Sequence, residues 1–207
     1  MTTTLTTAPD YARFGRAAVS RDPTRTLFAK PLDLRLESPF RAGPLSAYDF
    51  CACDGHRLHA WRADRFAPEE ARPFDAGPDE PRAPDFWQLP CREGRRFSLF
   101  RLPLRALLPG RLPPRQKHPT HGVLFHAAPG DGLRFFRCQW GSRGDDLGWF
   151  TDEGELPEVG SLVNAALVLD VLAGMPEEFT LYLPEDPLAA VTFEGDGALA
   201  LLMPMKR

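Results

Sequence analysis

Prolines interrupt this chain so often that long helices are excluded over most of its length. There are 22 prolines among 207 residues, and a proline inside a helix removes a hydrogen bond and clashes with the preceding turn. Apolar residues at helical spacing nevertheless predict a short helix over Ala8–Ser20. The almost wholly apolar run Val163–Leu172 predicts a second, buried helix. A weaker third helix is predicted over Leu102–Leu108, with Pro103 in its first turn.

Most other segments are short, apolar or alternating, and bounded by Gly, Pro or Asp, which predicts β-strands. The predicted strands are Leu32–Glu37, Ser46–Cys53, His121–Ala128, Leu133–Trp140, Phe179–Pro184, Ala189–Gly195 and Ala198–Met205. The sequence Pro129–Gly132 predicts a turn between two of them. The C-terminal half is therefore predicted to run in the order helix, strands, helix, strands. The N-terminal half begins in the same way, and the fold class is α+β.

The chain is long enough to bury a substantial core, in one large domain or two small ones. Residues 64–83 are rich in Pro, Asp and Glu, with little apolar content, and predict a linker or a long surface loop. We place the domain boundary just after it, giving domains over 1–92 and 93–207. The longest apolar stretch is too short to cross a bilayer, and the N-terminus lacks a secretory signal. We therefore expect a cytoplasmic protein with no membrane partner.

Neither charge nor composition predicts an enzyme. The formal net charge of −3 argues against a surface that coats nucleic acid through charge alone, although it leaves a local basic face open. There is no phosphate-binding loop, nucleophile elbow or H-E-x-x-H motif, so we expect neither catalysis nor a cofactor. Cys51, Cys53, His56 and His59 offer four zinc ligands, but their spacing is not a usual zinc pattern. A small zinc-binding protein is the third and least favoured hypothesis.

Four segments together resemble a known family. They are Ala17–Phe28 (AAVSRDPTRTLF), Cys51–Trp61 (CACDGHRLHAW), Pro84–Pro90 (PDFWQLP) and the C-terminal stretch Val168–Arg207, which ends in Met-Pro-Met-Lys-Arg. In this order they resemble the middle domain, the connecting segment and the last domain of the bacterial DNA sliding clamp, the beta subunit of DNA polymerase III. That family has three similar domains, each built from two halves of a helix plus strands.

The resemblance implies a shortened clamp. The first domain has no counterpart here, and residues 64–83 replace most of the second half of the middle domain. Only the last domain, from about Arg95, is expected to be complete. The implied fold is thus a set of clamp-like α+β domains, one complete and one truncated.

In the family, the junction of the last two domains forms an apolar cleft for short peptides that carry Gln and spaced Leu or Phe residues. Such peptides belong to DNA polymerases and repair proteins. The resemblance implies a cleft lined by Phe28, Cys53, Gly55, His56, Arg57, Leu58, Pro84, Gln88, Leu89, Leu201, Met203, Pro204 and Met205. Adaptable methionines suit a surface that accepts several related peptides. Gln88 occupies what resembles a basic position in the family. Affinity or preference for peptides is therefore expected to differ from that of an ordinary clamp.

The family also lines a central hole with basic helices that contact DNA phosphates without reading sequence. The corresponding residues are Arg13, Arg16, Arg21, Arg25, Arg105, Arg111, Arg115 and Lys117. The leading hypothesis is therefore a polymerase processivity factor that encircles double-stranded DNA as a homo-oligomeric ring, with a clamp loader as a further partner. The alternative is a non-encircling adaptor or decoy that keeps the peptide cleft without the ring.

Overall fold

The computed structural model describes residues 8–20, 29–35, 44–73, 92–108, 121–127, 130, 132–143, 146–151, 157 and 160–205. The helices are α1 (Tyr11–Ala17), α2 (Arg101–Leu107) and α3 (Ala165–Gly174). The strands are β1 (Leu32–Asp33), β2 (Phe50–Cys53), β3 (Arg57–Trp61), β4 (Arg72–Pro73), β5 (Arg95–Phe100), β6 (His121–Ala127), β7 (Leu133–Arg143), β8 (Asp146–Thr151), β9 (Ser161–Asn164), β10 (Glu178–Leu183), β11 (Val191–Gly195) and β12 (Ala198–Leu202). No helix in these ranges is long and apolar enough to cross a membrane.

One supersecondary unit, a strand, a helix and three strands, occurs twice in the C-terminal part. The first copy is β5–α2–β6–β7–β8 and the second is β9–α3–β10–β11–β12. The two copies exchange their leading strands, since β5 pairs with β10 and β9 pairs with β6. The N-terminal part repeats the unit as α1–β1–β2–β3. The predicted alternation of helices and strands, and the α+β class, are confirmed.

The strands form two sheets. The larger has eight strands in the order β4-β1-β2-β3-β12-β11-β10-β5, and the smaller has the order β8-β7-β6-β9. Strands β3 and β12 are antiparallel, with Leu58 opposite Leu201 and Trp61 opposite Ala198. The eight-stranded sheet therefore continues across the boundary predicted between residues 92 and 93, and that division into domains stays a prediction.

The main core lies between the sheets and the helices. Phe14 of α1 and Val168 of α3 pack with Trp61, Phe125 and Phe193 from the sheets, all of them buried. We call the opposite side of each sheet its outer face. Leu34, Leu45 and Tyr48 cover part of the outer face of the eight-stranded sheet, where they pack with Leu58, Leu199 and Leu201.

Short polar signals set the ends of the helices. The Asp10 carboxylate accepts a hydrogen bond from the Arg13 amide at 2.9 Å, which caps α1. The Asn164 side chain caps α3 through the Ala166 amide at 2.9 Å. That cap explains why α3 starts two residues after the predicted Val163: residues 161–164 are already paired with β6 as a strand.

Two other predicted boundaries are also wrong in detail. The strand predicted over Ser46–Cys53 begins only at Phe50, and Gly55, with a positive φ of 88°, reverses the chain between β2 and β3. The strand predicted over Leu32–Glu37 is limited to Leu32–Asp33, and residues 36 and 37 lie outside the described ranges. Strands β3, β4, β5, β8 and β9 were not among the predicted strands.

Candidate functional site

Three segments meet at one end of the eight-stranded sheet. Arg57, the first residue of β3, is opposite Leu202, the last residue of β12. Val191, the first residue of β11, is also opposite Leu202. The turn Asp54–His56, the turn over 184–190 and the segment Met203–Met205, which we call the tail, therefore lie side by side.

The turn Asp54–His56 is held rigidly and in turn holds the tail. One Asp54 carboxylate oxygen accepts from the amides of His56 at 3.0 Å and Arg57 at 3.2 Å. The Gly55 amide donates to the Cys53 sulfur at 3.3 Å. The carbonyl of His56 accepts from the amide of Met203 at 2.9 Å. The side chain of His56 remains exposed at the rim of the site.

The tail spans the two sheets. Met203 packs on the outer-face cluster of the eight-stranded sheet, which includes Leu58 and Leu201. The amide of Met205 donates to the carbonyl of Leu162 in β9 at 2.7 Å, and its side chain packs on the outer face of the four-stranded sheet, beside Trp149. All three tail residues are half-buried. The tail thus presents two flexible thioether side chains at the junction of the sheets, partly open to a ligand.

Arg57 lies beneath the site and points away from it. Its side chain is fully buried; Nη1 lies 2.6 Å from an Asp170 carboxylate oxygen in α3, and Nε lies 3.1 Å from Asp54. Nη2 donates to the carbonyl of Ala17, the last residue of α1. The guanidinium therefore joins both helices to the turn, and the geometry gives it a positioning role in place of direct contact with a peptide.

His59 is a second buried polar group between β3 and α1. Its ring stacks on Phe14, with centroids 4.1 Å apart, and Nδ1 lies 2.6 Å from the carbonyl oxygen of Phe14. Since a carbonyl only accepts, Nδ1 carries the proton, and the buried Nε2 has no hydrogen-bond partner among the described residues. Burial, and then the nearby charge of Arg57, lower the pKa of His59 from 6.5 to about 4.

The four residues considered as zinc ligands do not share one side of the sheet. Cys51 and Cys53 belong to the outer-face cluster. His59 is opposite Ala52 and contacts Phe14 on the helix side, while His56 is exposed in the turn. Burial raises the pKa of the Cys51 thiol, which opposes metal binding. Among the residues that the structure describes, no three His, Cys, Asp or Glu side chains form a metal-binding group.

An ion pair fixes the chain just before strand β5. Arg92, with a positive φ of 64°, donates from Nε to both carboxylate oxygens of Glu194, at 3.0 and 2.9 Å. The hydroxyls of Tyr48 and Tyr182 donate to the same carboxylate, at 3.3 and 3.1 Å. Burial raises the pKa of Glu194, but the hydrogen bonds and the charge of Arg92, together with the hydroxyls of Tyr182 and Tyr48, outweigh burial, and the pKa is lowered.

The structure brings most of the described cleft candidates together. Leu58, Leu201 and Cys53 form a buried floor, Gly55 and His56 form an exposed rim, and Met203, Pro204 and Met205 lie between them. The predicted cleft residues Phe28, Pro84, Gln88 and Leu89 lie outside the described residues. Their part in the cleft, like that of the others, stays a prediction.

Three of the predicted DNA contacts are described. Arg13 and Arg16 are exposed on α1, and Arg105 is exposed on α2. Arg13 lies 3.5 Å from Asp170, so part of its charge is neutralised. The remaining candidates, Arg21, Arg25, Arg111, Arg115 and Lys117, lie outside the described residues.

Sequence reasoning missed two residues of this region. Leu188, in the turn over 184–190, is 57% exposed beside the tail, and a leucine in an otherwise polar turn was the available signal. Asp170 is the acidic residue of an apolar helix, a pattern that predicts a buried basic partner. That partner is Arg57, which lies 113 positions away in the chain.

Solved bacterial sliding clamps share this architecture. The clamp of Bacillus subtilis matches with a TM-score of 0.60 and 14% identity, over 95% of this chain and 61% of that chain. The beta sliding clamp of C. crescentus matches with a TM-score of 0.56 and 15% identity, over 100% of this chain and 67% of that one. The chain has the sliding-clamp fold. The predicted resemblance to a shortened clamp is thereby confirmed as a matter of fold.

A third match is the Helicobacter pylori beta clamp bound to a DNA ligase peptide, with a TM-score of 0.54 and 11% identity, over 98% of this chain and 65% of that chain. No protein-family model matches the sequence, and no curated protein matches it. Because the chain spans only 61% of the Bacillus clamp, the activity and partners of a whole clamp are proposals for this protein.

Proposed function

We propose that this protein binds short peptides, carrying Gln and spaced Leu or Phe residues, in the cleft beside its tail. DNA polymerases and DNA-repair proteins are the proposed sources of the peptides. The observation that carries the proposal is the anchoring of the tail: the Met203 amide is bonded to the turn, and the Met205 amide is bonded to β9. This leaves both methionine residues half-buried, and the exposed Leu188 lies in the turn over 184–190.

The shape and chemistry of the site support this occupant. An apolar floor with a few polar groups at its rim is typical of a ligand site. Gly55, exposed and without a side chain, allows a peptide backbone to approach the turn. The site offers adaptable packing and hydrogen bonding, and its role is binding.

The described helices favour the non-encircling adaptor over a ring on DNA. Helix α3 (AALVLDVLAG) contains no lysine or arginine. Its acidic residue, Asp170, pairs with Arg13, one of the three described candidates for phosphate contact. Pairing with Asp170 leaves Arg13 less able to hold a DNA phosphate. The processivity ring, and a clamp loader acting on it, stay predictions. Acting with replication and repair proteins places the adaptor in the cytoplasm.

Peptide binding is tested by fluorescence anisotropy with a labelled polymerase-type peptide that contains Gln, Leu and Phe. Replacing both tail methionines, Met203→Ala with Met205→Ala, is expected to weaken binding at least about tenfold, the equivalent of about 1.4 kcal/mol. Thr180→Ala, on the outer face of the same sheet but remote from the tail, is the matched control. Absence of peptide binding by the unaltered protein, or equal affinity of the double variant, would contradict the proposal.

The ring is tested separately. A ring predicts retention on closed circular duplex DNA and release when the circle is cut. The adaptor predicts no difference between circular and linear DNA.

A further inference from the structure

An apolar strip on the outer face of the four-stranded sheet is continuous with the tail. Phe136 and Cys138 of β7 pack there with Trp149 of β8 and Met205 of the tail. Side chains alternate between the two faces of a strand. Trp140, two residues beyond Cys138 and opposite Trp149, therefore lies on the same face. All five side chains are uncharged, so the strip offers apolar contact in place of ion pairing.

A glycine beneath the strip allows the tail and a tryptophan to meet. A Cβ added at Gly122 of β6 would lie 3.1 Å from Cε of Met205 and 3.3 Å from a ring carbon of Trp149. It would also lie 2.8 Å from the side chain of Leu162. The side chains of Met205 and Trp149 therefore approach each other directly above Gly122. Met205 belongs to the candidate cleft and to the aromatic strip at the same time.

The strip ends at an exposed indole. Trp140 is 38% exposed, and its ring forms an edge-to-face pair with Trp149, with the centroids 5.5 Å apart. Aromatic rings favour edge-to-face and offset-stacked contacts, which add to the free energy gained from burial. The exposed part of Trp140 therefore suits a further aromatic ring, supplied by a partner.

We propose that the cleft continues over Met205 and Trp149 to Trp140, and that its preferred peptides carry an aromatic residue outside the Gln, Leu and Phe motif. This inference rests on the proposed function and names a further determinant of its specificity. Gly122 is opposite Cys138, so Trp140 is one strand away from it, about 5 Å, and two residues along, about 7 Å. The distance from Gly122 to Trp140 is therefore about 8 Å, which two to three residues of extended peptide span.

The test is fluorescence anisotropy with labelled polymerase-type peptides that contain Gln, Leu and Phe. Each probe carries an added phenylalanine beyond the motif, joined through a neutral spacer of two residues, at one end or at the other. The reference peptides carry alanine in place of the added phenylalanine. We expect the phenylalanine at one of the two ends to strengthen binding to the unaltered protein on the order of tenfold, because its ring is buried against Trp140.

Three variants assign the gain to the strip. Trp140→Ala should reduce the gain from phenylalanine to about twofold or less, whereas Trp140→Phe, which keeps an aromatic ring, should retain most of it. Phe100→Ala is the matched control, because Phe100 is also an exposed aromatic residue, at 55%, but ends strand β5 of the other sheet. It should leave the gain unchanged. Circular dichroism of each variant checks that it is folded.

The outcomes separate this inference from the proposed function. If the alanine peptides bind but phenylalanine at neither end improves the affinity, the extension of the cleft is overturned and the proposed function stands. A gain that Trp140→Ala leaves intact would place the aromatic contact elsewhere and would also overturn the extension. If no peptide binds the unaltered protein, the proposed function fails, and the extension fails with it.

Discussion

Arg57→Ala should destabilise the protein far more than any exposed arginine substitution. Its guanidinium is fully buried and contacts Asp54, Asp170 and the carbonyl of Ala17, which belong to three different segments. Removing one partner of a buried ion pair costs about 3–5 kcal/mol. The side chains of Asp54 and Asp170 are 13% and 26% exposed, so water can partly replace the arginine. We therefore expect a loss of about 3 kcal/mol, towards the lower end of that range.

For a chain of this size, about 3 kcal/mol corresponds to a fall in Tm of about 6–12 °C. The assay is urea unfolding followed by tryptophan fluorescence and circular dichroism, with the slope against denaturant required to stay unchanged. Arg13→Ala is the matched control, since Arg13 also pairs with Asp170 but is half-exposed, and it should cost at most about 1 kcal/mol. If Arg57→Ala costs no more than Arg13→Ala, the buried guanidinium does not hold the helices to the turn.

Two further predictions concern the core around α1. The pKa of His59 is lowered to about 4 in the folded chain. Below about pH 6.5 the unfolded chain therefore binds one proton more than the folded chain. The free energy of unfolding should fall by roughly 1.4 kcal/mol for each pH unit between about pH 6.5 and about pH 4. His59→Gln, which keeps a donor for the Phe14 carbonyl, should flatten this dependence of stability on pH, measured by urea titrations at several pH values. If the variant and the unaltered protein show the same dependence, groups other than His59 cause it. Gly174→Ala would place a Cβ 2.4 Å from Cγ of Phe14 and should cost about 1–3 kcal/mol by overpacking, whereas Gly148→Ala, in open space, should cost almost nothing. Thermal unfolding compares the two glycine variants, and similar Tm values would show that Phe14 moves aside.

The local part of the structure was predictable from the sequence. Prolines, glycines and short apolar runs placed all three described helices and most of the C-terminal strands, because these signals act on neighbouring residues. The tail motif and the Cys51–Trp61 segment indicated the same cleft, and the structure does place them side by side. The hairpin at Gly55 was not predicted, although Asp-Gly is a strong turn signal.

Pairing between distant segments could not be predicted in this way. Strand β5 has alternating burial and could form an edge of either sheet; its pairing with β10, some 80 residues away, depends on the exchange of leading strands between units. Arg57 was predicted at the rim of the cleft, because sequence gives a side chain's chemistry and not its direction. The guanidinium of Arg57 is stable in the interior only because Asp170 on α3 and the carbonyl at the end of α1 lie within hydrogen-bond distance of it.

The sequence by itself determined the repeated order of a short helix followed by strands, and the methionine tail, because these follow from local backbone preferences and from apolar periodicity. The tertiary structure decided which strands are neighbours and which arginine is buried. Those outcomes depend on the packing of segments that are remote in the chain, where burial and the need to pair every buried charge outweigh local preference.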